Sequence, residues 1–340
     1  MRVIGMPQTR TVTHATAALP LGYASHPTDP PACAGLANLQ LVTMANFGFA
    51  APLANWLAHN HHMPCALPTV VHALDNATLA LCNRLVDQAR GEHCILADCP
   101  LCSSEGYSGP MDKHPGRSAI GEYKWYALRR FLREGRGQPN APRAALWLDS
   151  DALVQGQHCL GKLLGMPEVM LVSTSLEGCP RTVQLSAARP QLKMNTGVIL
   201  VRQTEVARSL LDHVIHHFES SDTPRYCADQ WLFNELMVKF GNMSSSGKRW
   251  SVALPAIPSS DPPLAALRTN IRLLSDTVWP RMLSNRSRAY ASWPQSSSRS
   301  MKTSMPSSDA APNTICLYHP WVKGHESHAD FFRHDGMWWL

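Results

Sequence analysis

Apolar segments of alternating period follow one another through the first quarter of the chain. Residues 39–49 (LQLVTMANFGF) have an apolar strand pattern, and 51–60 (APLANWLAHN) space Leu53, Trp56 and Leu57 at helical intervals. Residues 65–75 (CALPTVVHALD) read as a second strand ending on Asp75, and 76–89 (NATLALCNRLVDQA) as an amphipathic helix with Asn76 at its N-cap. Strand, helix, strand, helix in tandem implies an α/β fold, because parallel neighbours need crossovers whose apolar stripes cover both sheet faces. Downstream, 122–135 (EYKWYALRRFLREG) carries Trp125, Leu128, Phe131 and Leu132 on one helical face and stops at Gly135. Strands are expected at 144–154 (AALWLDSDALV), 168–175 (EVMLVSTS) and 194–202 (MNTGVILVR). Helices are expected at 204–218, opening on Thr204, and at 229–240.

The chain has 340 residues, 44% hydrophobic and 16% charged, which suffices for a sizeable core. Residues 1–37 are rich in Pro, Ala and Thr and read as poorly ordered; 38–340 read as a single domain. A Ser/Arg/Pro-rich stretch, 281–313, reads as a flexible insertion. Residues 30–58 carry no charge and would be long enough to span a bilayer. Asn38, Gln40, Asn46, Asn55 and Pro52 argue instead for a buried strand and helix, so no transmembrane segment is expected, and no signal peptide is evident. A formal net charge of +6 suits an anionic substrate, while no Lys/Arg stripe with interleaved aromatics supports nucleic acid. Ten scattered cysteines fit a few disulfides or free thiols. The pair Cys99 and Cys102 lacks the second Cys/His pair that a zinc knuckle needs. Sequons at Asn76, Asn242 and Asn285 lean towards a secretory setting.

Asp149 and Asp151 close an apolar strand pattern, and ligands of open α/β sheets bind at the carboxyl ends of strands. In extended chain, residues i and i+2 point the same way, so both carboxylates would face one hard cation such as Mn²⁺ or Mg²⁺. A strand-ending turn explains the same residues, since turns favour Asp and Ser. Asn195-Thr196-Gly197 reads either as a turn or as a close backbone approach to a sugar, and Asp229 either as an N-cap or as a functional acid beside Gln230. The run HNHH (59–62) reads as solvated, and late histidines (His319, His325, His328, His334) cluster around Lys323.

In that order these stretches resemble the GT-A nucleotide-diphospho-sugar transferases, and more narrowly glycosyltransferase family 77 of plants and algae, which includes arabinosyl- and xylosyltransferases. The resemblance rests on LVTMANFGFAAPLANWL, HALDNATLALC, EYKWYALRRFL, ALWLDSDALV, MNTGVILVRQT, DQWLFNELM and the closing YHPWVKGHESH, and covers 39–340 apart from the insertion. It implies a Rossmann-like GT-A fold with a central, mostly parallel sheet. It also implies that Asp149, Asp151 and His319 hold Mn²⁺ or Mg²⁺, with Asp151 the more direct of the two acids and Ser150 between them beside the donor sugar nucleotide. Thr43, Asn46 and Phe47 would form the nucleotide-base pocket with Asp75 beside it, and Lys124, Lys323 and Gly324 would approach the diphosphate. Asn195 and Gly197 would line the sugar, with Asp229 and Gln230 near its reacting carbon. The implied activity is retaining hexosyl or pentosyl transfer, with a UDP-sugar as the simplest donor and a glycan or glycoprotein as acceptor, in the Golgi. A non-catalytic glycan- or nucleotide-binding relative is a competing reading. A metal-dependent phosphoryl-transfer enzyme is another, but it would want a Gly-rich phosphate loop or further acids near the pair.

Overall fold

The computed structural model describes residues 31–99, 102–104, 116–138, 141–154, 158–175, 193–221, 228–244, 249–274 and 317–318. The expected insertion at 281–313 and His319, Lys323 and Gly324 lie outside the described residues. At the N-terminus the structure begins before the expected boundary at 38: Pro31–Leu36 form a short 3-10 helix, tied by a Cys33–Cys65 disulfide.

Strands β1 (Leu39–Ala45), β2 (Thr69–Ala73), β3 (Glu92–Leu96) and β4 (Ala144–Leu148) alternate with helices α1 (Ala50–His61), α2 (Asn76–Leu85) and α3 (Arg117–Glu134). A turn then leads to β5 (Leu153–Val154), α4 (His158–Leu164), β6 (Met170–Ser175) and β7 (Lys193–Arg202). Helices α5 (Glu205–Glu219) and α6 (Ala228–Phe240) precede β8 (Gly241–Met243), β9 (Arg249–Leu254) and β10 (Leu267–Leu274), and β11 (Leu317–Tyr318) pairs with β5. The uncharged segment 30–58 thus supplies β1 and α1, and no helix among the described residues is long and apolar enough to cross a membrane.

The nine-stranded sheet has the order β3-β2-β1-β4-β7-β6-β10-β9-β8. Only β7 and β9 run against the other seven strands. The order reverses between β1 and β4, so their carboxyl ends flank the crevice where open α/β sheets place their ligands. Because β7 is antiparallel to β4, its amino end arrives at that same edge.

Strand alternation sorts the core into two layers. Val42, Met44, Ala145 and Trp147 face α3, α5 and α6, whereas Leu39, Leu41, Leu146 and Leu148 face α1 and α4. Trp125 of α3 stacks on Phe233 of α6 at 4.8 Å and meets Phe218 of α5 edge-on at 5.8 Å. That aromatic knot fixes how α6 approaches α3, and truncating Trp125 to Ala would cost about 3–5 kcal/mol. Two further disulfides, Cys82–Cys94 and Cys99–Cys102, give the cysteines the bridge role left open by the sequence. The histidine run, expected to be solvated, is so only in part: His62 is exposed, but buried His59 donates from Nε2 to Val154 O at 2.6 Å, and His61 pairs with buried Glu92 at 2.8 Å.

Candidate active site

The acid pair sits where β4 ends. The ladder with β7 runs to Leu148↔Val198 and is prolonged by Asp149 N donating to Gly197 O at 2.9 Å. The chain then turns, closed by Ala152 N donating to Asp149 O at 2.7 Å, with Ser150 buried inside the turn. The expected single strand over 144–154 is therefore β4, a turn and β5, and the two carboxylates are presented by a turn instead of by strand alternation. The two acids remain two residues apart at the switch point.

Asp149 lies on the Trp147 face of the sheet. Its Oδ1 accepts from Trp147 Nε1 at 2.9 Å and from Lys124 Nζ at 3.3 Å, while its side chain stays about one-third exposed. Lys124, projecting from α3, is almost wholly buried and is the hub. Its ammonium also meets Asp229 Oδ2 at 2.9 Å and Thr196 O at 3.0 Å. Thr196 Oγ1 donates to the same Asp229 oxygen at 2.7 Å. Burial alone would lower the ammonium's pKa, but the charges of Asp149 and Asp229 outweigh it and hold the group above the ordinary lysine value. Burial would likewise raise Asp229, but Lys124 and the hydrogen bond from Thr196 hold its carboxyl below the usual carboxylate range. One buried cation thus fixes two carboxylates that come from different elements.

Asp229 lies in the first turn of α6, which begins at Ala228, so it is not the N-cap. Its carboxylate is spent on Lys124 and Thr196. Gln230 follows on the same turn, half-buried, and its carbonyl accepts from Asn234 Nδ2 at 2.6 Å. Close approach of α6 depends on Gly121, one helical turn before Lys124, where a Cβ would lie 2.8 Å from Asp229 Oδ1. Gly121, and the bond that Thr196 makes to Asp229, escaped the sequence reading. A glycine three residues before a lysine on an otherwise bulky helix was the available signal.

Asn195, Thr196 and Gly197 lie inside β7, so they are not a turn before it. The β6–β7 register slips between Val172, paired with Ile199, and Ser173, paired with Asn195, so Thr196, Gly197 and Val198 bulge from that ladder. Asn195 Oδ1 accepts from Gly197 N at 2.7 Å, and Ser173 Oγ donates to Asn195 O at 2.9 Å. The Asn195 carboxamide oxygen thus shapes the bulge.

The opposite wall is the carboxyl end of β1. Phe47 follows it with 54% of its surface exposed, the most exposed of three large hydrophobic side chains in the open among the described residues. Buried Asp75 caps α2, its Oδ1 accepting from Thr78 N and Thr78 Oγ1, both at 2.7 Å. Its Oδ2 accepts from Phe47 N at 2.9 Å, so the cap also fixes the β1–α1 turn. Burial pushes Asp75 up, but these hydrogen bonds prevail and hold it below the usual carboxylate range. Asn46 donates from Nδ2 to Cys102 O at 3.2 Å, and its buried Oδ1 meets no hydrogen-bond partner among the described residues. Thr43 is fully buried within β1, in the side-chain layer that faces α1. The structure therefore brings Asp149, Ser150, Asp151, Lys124, Gly197 and Asp229 to one edge, with Asn46, Phe47 and Asp75 along it.

Oxygen donors of this kind suit a hard divalent cation. Asp149 is oriented through Oδ1, and Oδ2 accepts no hydrogen bond among the described residues. No group of three His, Cys, Asp or Glu side chains able to hold a metal occurs among the described residues. The expected third ligand, His319, is the next residue in sequence after β11, and Tyr318 pairs with Leu153, two residues from Asp151.

No protein-family model matches the sequence, and no curated protein sequence matches it significantly. Among solved structures, the chain is similar to galactosyltransferase LgtC in complex with donor and acceptor sugar analogs, at 14% identity over 83% of this chain and 86% of that one, with a TM-score of 0.43. It is similar to mouse xyloside xylosyltransferase 1 in its apo form at 14% identity over 83% and 96% of the two chains, with a TM-score of 0.42. Glycosyltransferase GlyE of Streptococcus pneumoniae aligns at 14% identity over 58% of this chain and 43% of its own, with a TM-score of 0.35. At such identities and TM-scores none of the three assigns a function to this chain; its own side chains must do that.

Proposed function

We propose that the chain is a metal-dependent glycosyltransferase of GT-A type, within or near family 77. It transfers a hexosyl or pentosyl group from a nucleotide-diphosphate sugar, most simply a UDP-sugar, to a hydroxyl of a glycan or glycoprotein, with retention. The observation that carries this reading is the edge at the β1/β4 switch point, where the Asp149–Asp151 turn, the Lys124–Asp229–Thr196 network and exposed Phe47 converge. Asp149 and Asp151, with His319, would hold Mn²⁺ or Mg²⁺, which when bound supplies Lewis-acid neutralisation of a leaving diphosphate.

The chain's own residues do the rest. Phe47 offers a face for the base, and Asp75 holds the turn that carries it. Lys124 keeps Asp149 aimed at the cation site and Asp229 ionised beside the sugar, where a fixed negative charge favours an oxocarbenium-like transition state. Three disulfides fit an oxidising compartment, and Asn76 and Asn242 of the sequons are exposed, which supports the secretory pathway.

The test is a panel of UDP- and GDP-sugars with Mn²⁺, reading nucleotide release and transfer. We expect release that EDTA and Asp151→Asn both abolish. Binding of nucleotide with no turnover would favour a non-catalytic relative, and the absence of both turnover and Mn²⁺-dependent nucleotide binding would overturn the proposal.

A further inference from the structure

The loop after β3 enters the site through Ser104, which no functional assignment above uses. Ser104 is buried, and its single hydroxyl does two jobs: it donates to Asp75 Oδ2 at 3.1 Å and accepts from Gly48 N at 3.2 Å. Its backbone N–H donates to the same Asp75 oxygen at 3.3 Å. Two residues earlier, Cys102 O accepts from Asn46 Nδ2 at 3.2 Å. Residues 46–48, which carry exposed Phe47, are therefore gripped from one side by Asp75 and from the other by Cys102 and Ser104.

Neither strand nor α-helix among the described residues holds this part of the loop. Cys102, two residues before Ser104, is anchored instead by the Cys99–Cys102 bridge and by Cys102 N donating to Cys99 O at 2.9 Å. Cys102 is wholly buried.

We propose that Ser104 is a positioning residue for the nucleotide base, and that the Cys99–Cys102 bridge is the staple that keeps it in place. This rests on the reading of the β1 end as the nucleotide subsite. The bridge fixes Ser104, Ser104 fixes the Gly48 amide and the Asp75 carboxylate, and these set the backbone on which the Phe47 ring stands. The base is then recognised on a platform whose geometry is locked covalently, and nucleoside diphosphates are the ligands that depend on it.

The test titrates UDP and GDP with Mn²⁺ into the full chain by calorimetry. It compares the wild type with Ser104→Ala, the double variant Cys99→Ser/Cys102→Ser, the triple combination, and Cys33→Ser/Cys65→Ser as a control for losing a bridge elsewhere. Amide exchange at Phe47 and Gly48 is followed in parallel. We expect Kd to rise about tenfold in Ser104→Ala and in the double variant, with little further rise in the triple. Exchange at both amides should quicken about tenfold in those variants, and the control should stay within about twofold on both readouts. Unchanged Kd and unchanged exchange in Ser104→Ala and the double variant overturn the inference. Wild type that binds no nucleotide overturns the functional reading instead, and exchange at Phe47 and Gly48 then still decides whether the bridge and Ser104 hold the platform.

Discussion

Replacing Lys124 by Met keeps an unbranched apolar stem and removes the charge with its hydrogen-bond donors. In the wild type that charge is buried against Asp229 at 2.9 Å, Asp149 at 3.3 Å and the Thr196 carbonyl at 3.0 Å. Asp149 is about one-third exposed, so water replaces the lost ammonium there at small cost. Asp229 has only 15% of its side chain exposed and would keep the hydrogen bond from Thr196 but no counter-charge. Leaving such a charge uncompensated costs about 3–5 kcal/mol, a large share of the ~5–15 kcal/mol that holds a domain folded.

The sign with pH follows from the shifts. Asp229's depressed pKa gives stability that is present above the unfolded carboxylate range and lost as pH falls through the folded value. In Lys124→Met burial is opposed only by the hydrogen bonds from Thr196 and the Gln230 backbone, so Asp229 moves up, and the variant binds a proton more readily on acidification and recovers. Lys124's own pKa is raised, so its share is complete below the unfolded lysine value and is lost only at higher pH, outside this window. Urea unfolding followed by tryptophan fluorescence should therefore show a loss of about 3–5 kcal/mol near pH 7.5 that narrows by at least ~1 kcal/mol near pH 4.5. Asp229→Asn on the Lys124→Met background should return part of the loss. A penalty below about 1 kcal/mol at neutral pH, or one that does not change on acidification, would refute the hub.

Gly121→Ala places a Cβ 2.8 Å from Asp229 Oδ1, so the carboxylate or helix α6 must yield. A cost of about 1–3 kcal/mol is expected, with kcat falling further than KM for the sugar donor changes, and wild-type kcat would contradict it. Phe47→Ala removes an exposed ring, so stability should stay within ~0.5 kcal/mol. UDP affinity should drop about tenfold, as the loss of base stacking predicts, and an unaltered Kd would remove Phe47 from the site. Burial, aided by Arg130, pushes buried His72 down to about 3, and its Nδ1 shares a 3.1 Å hydrogen bond with the Tyr123 hydroxyl. Its depressed pKa makes the wild type lose stability as pH falls below the ordinary imidazole range, whereas His72→Gln should flatten the curve between about pH 6 and pH 4; parallel curves would refute this.

The position of the acid pair was readable because a buried parallel strand is a continuous apolar run, and Ala144–Leu148 is one, ending on Asp149. Helix α3 was readable too, its Trp125 and Leu128 spacing being set by a face that packs on the sheet. The geometry of the site was not. That Asp149 and Asp151 sit on a turn depends on a hydrogen bond from Ala152 to Asp149 that no residue pattern announces. That Asn195 shapes a bulge depends on where β6 slips against β7, which is a tertiary property. Lys124 was legible as a helix lysine, but its role as a buried hub needs three elements brought together by the fold. The hairpin of β9 and β10 was missed. Its exposed face carries Arg249, Ser251 and Ala253 in alternation with Trp250, Val252 and Leu254, a half-buried pattern too short to separate from loop.

The bridges are unevenly placed. All three disulfides among the described residues lie between Cys33 and Cys102, and the two longer ones span 32 and 12 residues. Restricting the unfolded chain in loops of that size is worth roughly 4 and 3 kcal/mol. That benefit belongs to β1, β2 and β3 and does not reach the far edge, where three-residue β8 ends the sheet. The molecule should accordingly open by parts. Under heat or denaturant the β8–β9–β10 margin exchanges its amides first, while the cross-linked β1–β2–β3 half persists as the last cooperative unit. A partly opened molecule would then bare the β10 and β6 edges as templates for strand addition, so aggregation should begin at the end of the sheet farthest from the staples.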